Sequence, residues 1–148
     1  MNQNATARSS SSLLRTAAFA AIAALAACAS TDPVPASLAQ ARGTWQLDAT
    51  VPQGGRIPTL TIQEDGAVHG NGGVNQYSAT VDVRAMEQGL WRMTPPRSTR
   101  MAGPQEAMAL EQSMLTALQE AETAQLQQGR LCLLRQGRVL VRFARPSF

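Results

Sequence analysis

Three groups of residues have types and spacing that could do chemistry. The first is Gly70-Asn71-Gly72-Gly73-Val74-Asn75, a glycine-rich stretch of the kind whose backbone amides cradle phosphates. The second is His69, the only histidine and so the one candidate general base at neutral pH. The third is Cys28, which ends an apolar run. A dinucleotide loop requires G-x-G-x-x-G between a strand and a helix. Here Asn75 stands at the third glycine, and an alternating, strand-like segment follows, so no helix N-terminus faces the loop. A P-loop needs lysine; all 13 basic residues are Arg. The glycines therefore read as a bend or bulge between two strands. His69 falls on a strand beside that turn, and no Ser or Cys pairs with it by spacing. Asp48, Glu64, Asp65 and Asp82 are scattered, and no His/Cys/Asp cluster has metal-ligand spacing. The expectation is a non-enzyme with no cofactor and no bound metal.

Cys28 reads differently. Residues 1–15 carry Arg8 and Arg15 but no acid, and 16–27 are uncharged and rich in Ala. That run is too short to cross a bilayer as a helix, which takes about 20 apolar residues. Leu25-Ala26-Ala27-Cys28 resembles the lipobox of bacterial lipoproteins. The resemblance implies a signal peptide over 1–27, a diacylglycerol thioether on Cys28, and a further palmitate-type chain on its freed amine. Several acyl chains together anchor stably. Ala29, where retained inner-membrane lipoproteins often carry Asp, implies the outer membrane and its periplasmic face. Changing Cys28→Ser is expected to leave an unprocessed precursor that takes up no labelled fatty acid; normal acylation of that variant would end the lipoprotein reading.

The remaining chain, 28–148, has 121 residues, enough for one domain with its own core. Without Arg8 and Arg15 it holds 11 Arg against 10 acids, so the basic balance does not argue for nucleic acid. Cys132, within Leu131-Cys132-Leu133-Leu134, reads as a buried inert thiol.

The elements that must position these residues are mostly strands. Residues 28–42 contain two Pro and many small polar residues and read as a flexible tether. From 43 to 145, short alternating runs separate turn signals. Strands are expected at 44–47, 59–62, 67–70, 77–83, 90–93, 131–134 and 139–143. Glu64-Asp65-Gly66 reads as a tight hairpin turn. Gly103-Pro104 opens the one expected helix, ending near Thr123, with Ala107, Leu110, Met114, Ala117, Leu118 and Ala121 on its apolar side. The fold class is mainly β with one helix (α+β), a small antiparallel sheet curled into a cracked β-barrel closed by that helix.

Beyond this reading, Gly70-Asn71-Gly72-Gly73-Val74-Asn75-Gln76-Tyr77 resembles the first signature of the META domain, found in HslJ-like heat-shock lipoproteins. Thr99-Arg100-Met101-Ala102-Gly103-Pro104, with Glu111, Leu115 and Leu118 beyond, resembles the second. Gly43-x-Trp45-x-Leu47 fits the family's opening strand, and Gly129-x-Leu131-x-Leu133 its closing hairpin. The chain departs from both signatures where the family has cysteine, with Val74 and Gly103 instead. If those cysteines pair in relatives, both halves of the staple are gone together. The resemblance assigns structural weight to Trp45, Gly70, Gly72, Gly73, Asn75, Thr99, Arg100, Met101 and Pro104, and implies no enzymatic activity.

The expected function is a non-enzymatic outer-membrane lipoprotein that binds an envelope protein as a stress or assembly accessory. Its expected partners are the membrane, through its lipid, and an unidentified envelope protein. One alternative is a carrier of an acyl chain or small apolar ligand inside the barrel, unless Trp45, Tyr77, Met114 and Phe143 fill it. Another is a periplasmic inhibitor presenting loop 52–58. Arg130, Arg135, Arg138, Arg142 and Arg145 crowd the C-terminal hairpin and read first as a solvated strand face.

Overall fold

The computed structural model describes residues 33–147. Nine strands form one sheet: β1 (Val34–Pro35), β2 (Gly43–Leu47), β3 (Thr59–Ile62), β4 (Ala67–Asn71), β5 (Gln76–Thr80), β6 (Arg97–Ser98), β7 (Thr123–Gln127), β8 (Arg130–Arg135) and β9 (Arg138–Ala144). Three helices accompany them: α1 (Leu38–Ala41), α2 (Val83–Met86) and α3 (Gln105–Glu120). The strand order is β1-β7-β8-β9-β2-β3-β4-β5-β6, every pair antiparallel. Alternation explains the central strands: Trp45 and Leu47 on β2, and Leu60 and Ile62 on β3, point into one core.

Two parts of the expected architecture are corrected. The sheet does not close, because β1 and β6 lie at opposite edges of the order and do not pair. Residues 89–94 reach across that gap instead of forming a strand. Leu90 bridges to Thr123 and Met93 to Val81. The Trp91 N–H donates to the Glu122 carbonyl at 2.8 Å, and the Thr94 N–H to the Thr80 carbonyl at 2.9 Å. The second correction is the single helix. Asp82 accepts from the N–H groups of Arg84 (2.9 Å) and Ala85 (3.1 Å), a cap that turns the expected 77–83 strand into α2 after Thr80. At the other end of the chain, α3 stops at Glu120. Ala121 is extended, and 123–127 becomes a strand with Ala124 fully buried.

The expected tether over 28–42 is corrected in its described part, where Val34–Pro35 is a strand and Leu38–Ala41 a helix. Ala36, Leu38 and Ala41 are buried, and the Trp45 indole N–H donates to the Ala41 carbonyl at 2.6 Å. Arg145 lies 3.8 Å over the Trp45 ring and donates to the Gln40 and Arg42 carbonyls at 3.2 and 3.0 Å, so the last residues of the fold clamp its first ones. The expected signal peptide and Cys28 lie outside the described residues.

Following the antiparallel register gives the sheet two ends. The β7–β8 and β3–β4 turns and the starts of β1 and β2 share one, called proximal here. The β4–β5 connection, the loop from β2 to β3 and the β8–β9 turn share the other, distal end. Pro104, at the start of α3, lies against Gly54 in that loop. At the helix's last residue, Glu120 pairs with Arg135 at 3.3 Å. α3 therefore lies across the distal end. Leu118, fully buried among core residues, is expected to cost roughly 2–5 kcal/mol when changed to Ala. A denaturant melt reads this, and an unchanged midpoint would show that α3 is not packed on the sheet.

Candidate functional site

The glycine-rich stretch does hold an anion, and the anion is the protein's own. Glu111 on α3 is buried at 7 % exposure. Its Oε2 accepts from the Val74 N–H at 3.0 Å and the Asn75 N–H at 2.6 Å. Its Oε1 accepts from Asn75 Nδ2 at 2.8 Å. The Asn75 Oδ1 in turn accepts from the Met101 N–H at 2.6 Å and the Thr99 hydroxyl at 2.9 Å. Successive amides around a carboxylate make the kind of concave, electropositive cradle seen at anion sites. Here that capacity is occupied by a side chain from the helix. Among the described residues, no buried side-chain polar atom lacks a partner.

Local chain chemistry explains the glycines. A Cβ on Gly72 would sit 2.6 Å from Glu111 Cγ and 2.7 Å from its Oε2, so only glycine lets the carboxylate approach the backbone. Gly73 has φ +120, a region side chains rarely adopt, and its N–H donates to Asn71 Oδ1 at 2.7 Å. A side chain on Gly70 would collide with the Thr59 carbonyl oxygen. That oxygen also accepts from the Tyr77 hydroxyl at 2.8 Å, and burial holds the Tyr77 hydroxyl far above its ordinary pKa.

Of the residues singled out by sequence, Gly72, Gly73, Asn75, Thr99 and Met101 meet at this one place. Pro104 precedes α3 beside it, and Arg100 is exposed, with no ion pair among the described residues. Trp45 belongs to the clamp with Arg145. The hub that reasoning from the residues overlooked is Glu111. The signal was available: the buried positions of α3 are Ala107, Glu111, Met114, Leu115 and Leu118, so an acid sits on the apolar stripe.

The other candidates disperse. His69 is exposed and faces Ser78 across the β4–β5 register, with no carboxylate bonded to it among the described residues. Asp65 accepts from the Ala67 N–H in its hairpin turn, and Asp48 pairs with Arg130 at 2.9 Å. Arg135 pairs with Glu120 and Glu122, so part of the C-terminal basic face is tied to acids. Cys132 is buried and unpaired; burial pushes its thiol pKa up, against the opposing pull of Arg142 and Arg130. It is expected to resist a thiol reagent until the protein is unfolded; fast stoichiometric labelling of the native protein would contradict that.

The core that the sheet faces is filled: Trp45, Tyr77, Met114 and Phe143 are all core residues at 3 % exposure or less. An open groove of about 390 Å³ lies outside it, between α3 and β9, lined by Leu47, Leu110, Met114, Ala117 and Leu140 among others. Loop 52–58 packs along the helix, with Gly55 against Ala107 and the Arg56 N–H donating to the Gly73 carbonyl at 3.0 Å.

Residues 36–147 match the family model of the META domain. Neither the curated proteins nor the solved structures include a significant match to the chain. The matched span is most of the sequence and contains both signatures as well as the carboxylate that joins them, and the chain belongs to the META domain family.

Proposed function

We propose that this META-domain chain is a non-enzymatic, lipid-anchored accessory of the bacterial outer membrane that acts by binding a protein partner in the envelope. One observation carries the partner reading. The large hydrophobics most exposed among the described residues are Val34, Ile57, Met101 and Met108, and three of these four belong to the distal end. Met101 is 62 % exposed although its own N–H is fixed by Asn75. Met108 lies against Gly103, its sulfur 3.4 Å from that N–H, and Ile57 sits in the loop bonded to Gly73. Exposed apolar side chains on a rigid frame suit protein recognition, and Met adapts well to irregular surfaces. The non-enzymatic part of the reading is supported by the engagement of Glu111, the buried carboxylate, in holding backbone.

A photo-crosslinking residue at Met101 or Met108 tests this in intact cells. Both positions should trap the same envelope protein, and the same residue at Glu64, at the proximal end, should not. Adducts equal at all three positions, or absent from the distal pair, would contradict the reading. The outer groove gives the carrier alternative its one specific observation, since its volume exceeds the about 300 Å³ of a small-molecule site. Mass spectrometry of the gently isolated protein should show no stoichiometric lipid beyond the anchor; a bound lipid displaced by Ala117→Trp would favour the carrier.

A further inference from the structure

We propose that the proximal end of the domain rests against the bilayer that holds Cys28, so that the distal end with its glycine loop, Met101 and Met108 faces away from it. This rests on the lipid-anchor reading. The first described strand starts at Val34, which pairs with Leu126 next to the β7–β8 turn, and the Ala36 N–H donates to the Ala124 carbonyl at 2.9 Å. Only Ala29, Ser30, Thr31, Asp32 and Pro33 separate Cys28 from that fixed point. Fully extended, this length of chain spans at most roughly 20 Å. A domain of this size has a radius of gyration of about 13 Å and so a diameter of roughly 35 Å. The leash is shorter than the domain. It cannot let the molecule turn over and press its distal end onto the lipid.

Charge does not set this orientation. At the proximal end Arg42 pairs with Glu64 and Arg130 with Asp48, while Arg145 is engaged on Trp45 and backbone carbonyls. These three cations are thus engaged within the domain, so the geometry depends on the length of the leash. Consequently the unacylated chain does not adhere to vesicles, and lengthening the leash loosens the orientation.

The test uses the mature, acylated chain in vesicles of phosphatidylethanolamine and phosphatidylglycerol that carry a headgroup nitroxide quencher. A fluorophore is placed on Glu64→Cys or, separately, on Met101→Cys; Cys132 is buried and stays unlabelled. Quenching should be several-fold stronger at 64 than at 101, and inserting a twenty-residue Gly/Ser segment after Asp32 should shrink that difference. Equal quenching at both positions, or stronger quenching at 101, overturns the orientation. The mass of the Cys28 peptide is measured on the same sample. If it carries no acyl chain, the anchor reading itself fails, and with it this inference; if it is acylated and the labels quench equally, only the orientation fails.

Discussion

Glu111→Ala is expected to destabilise the domain by at least about 3 kcal/mol, because three N–H donors lose a charged acceptor in a place water does not reach freely. That is a large share of the roughly 5–15 kcal/mol that holds a small domain together. Glu111→Gln keeps the shape but should still cost a substantial part of it. The amide has one oxygen, and the two backbone N–H groups need it on one side. Its NH₂ then faces Asn75 Nδ2, and turning Asn75 over would set that nitrogen against the Met101 N–H. Denaturant melts of wild type and both variants read the effect. Losses below about 0.5 kcal/mol for both, the range of ordinary surface changes, would show that the carboxylate is not a structural hub.

The double change Val74→Cys, Gly103→Cys is expected to oxidise in air and to stabilise by roughly 3–4 kcal/mol in the chain-entropy model for a closed loop of about 30 residues. A Cβ built on Gly103 lies 3.4 Å from Val74 Cβ, close to the separation bonded cysteines have. That Cβ would also meet the Val74 methyls at 2.7 and 2.8 Å, so valine fills the room the glycine leaves. Gly103→Cys alone should therefore destabilise, whereas the pair should not. A melting temperature of the oxidised double variant no higher than wild type would refute the benefit. Free thiols persisting in the folded protein would refute the proximity.

How much of this was legible in the sequence follows from what each signal depends on. β2 to β5 and β9 announce themselves because one face of each is more buried than the other, and alternation records that directly. β8 is legible instead as a short continuous apolar run, Leu131-Cys132-Leu133-Leu134, buried on both faces. The start of α3 is legible from Gly103-Pro104. β7 was hidden because Thr123-Ala124-Gln125-Leu126-Gln127 continues an Ala- and Gln-rich helix, and only pairing with β8 makes it a strand. α2 was hidden because Asp82 serves a strand or a cap equally well until its neighbours are placed. β1 and α1 sit in a Pro- and Ala-rich stretch whose composition matches a linker; β1 is fixed by pairing with β7 and α1 by nearby Trp45 and by Arg145, and β7 and Arg145 are far away in sequence. For the site, the two motifs were visible and their meeting was not derivable from spacing. Asn75 and Glu111 lie 36 positions apart, and only packing α3 across the distal end brings them together.

Amide hydrogen exchange at Val74 and Asn75 tests the central claim, that the two signatures are held as one unit by a buried carboxylate. In the wild-type protein these two loop amides should exchange as slowly as amides of the central strands, such as that of Leu60 on β3, because opening them requires breaking the grip of Glu111. In Glu111→Gln they should become fast while Leu60 stays more protected. Rapid exchange of both amides in the wild type, or rates that the substitution does not change, would contradict the account.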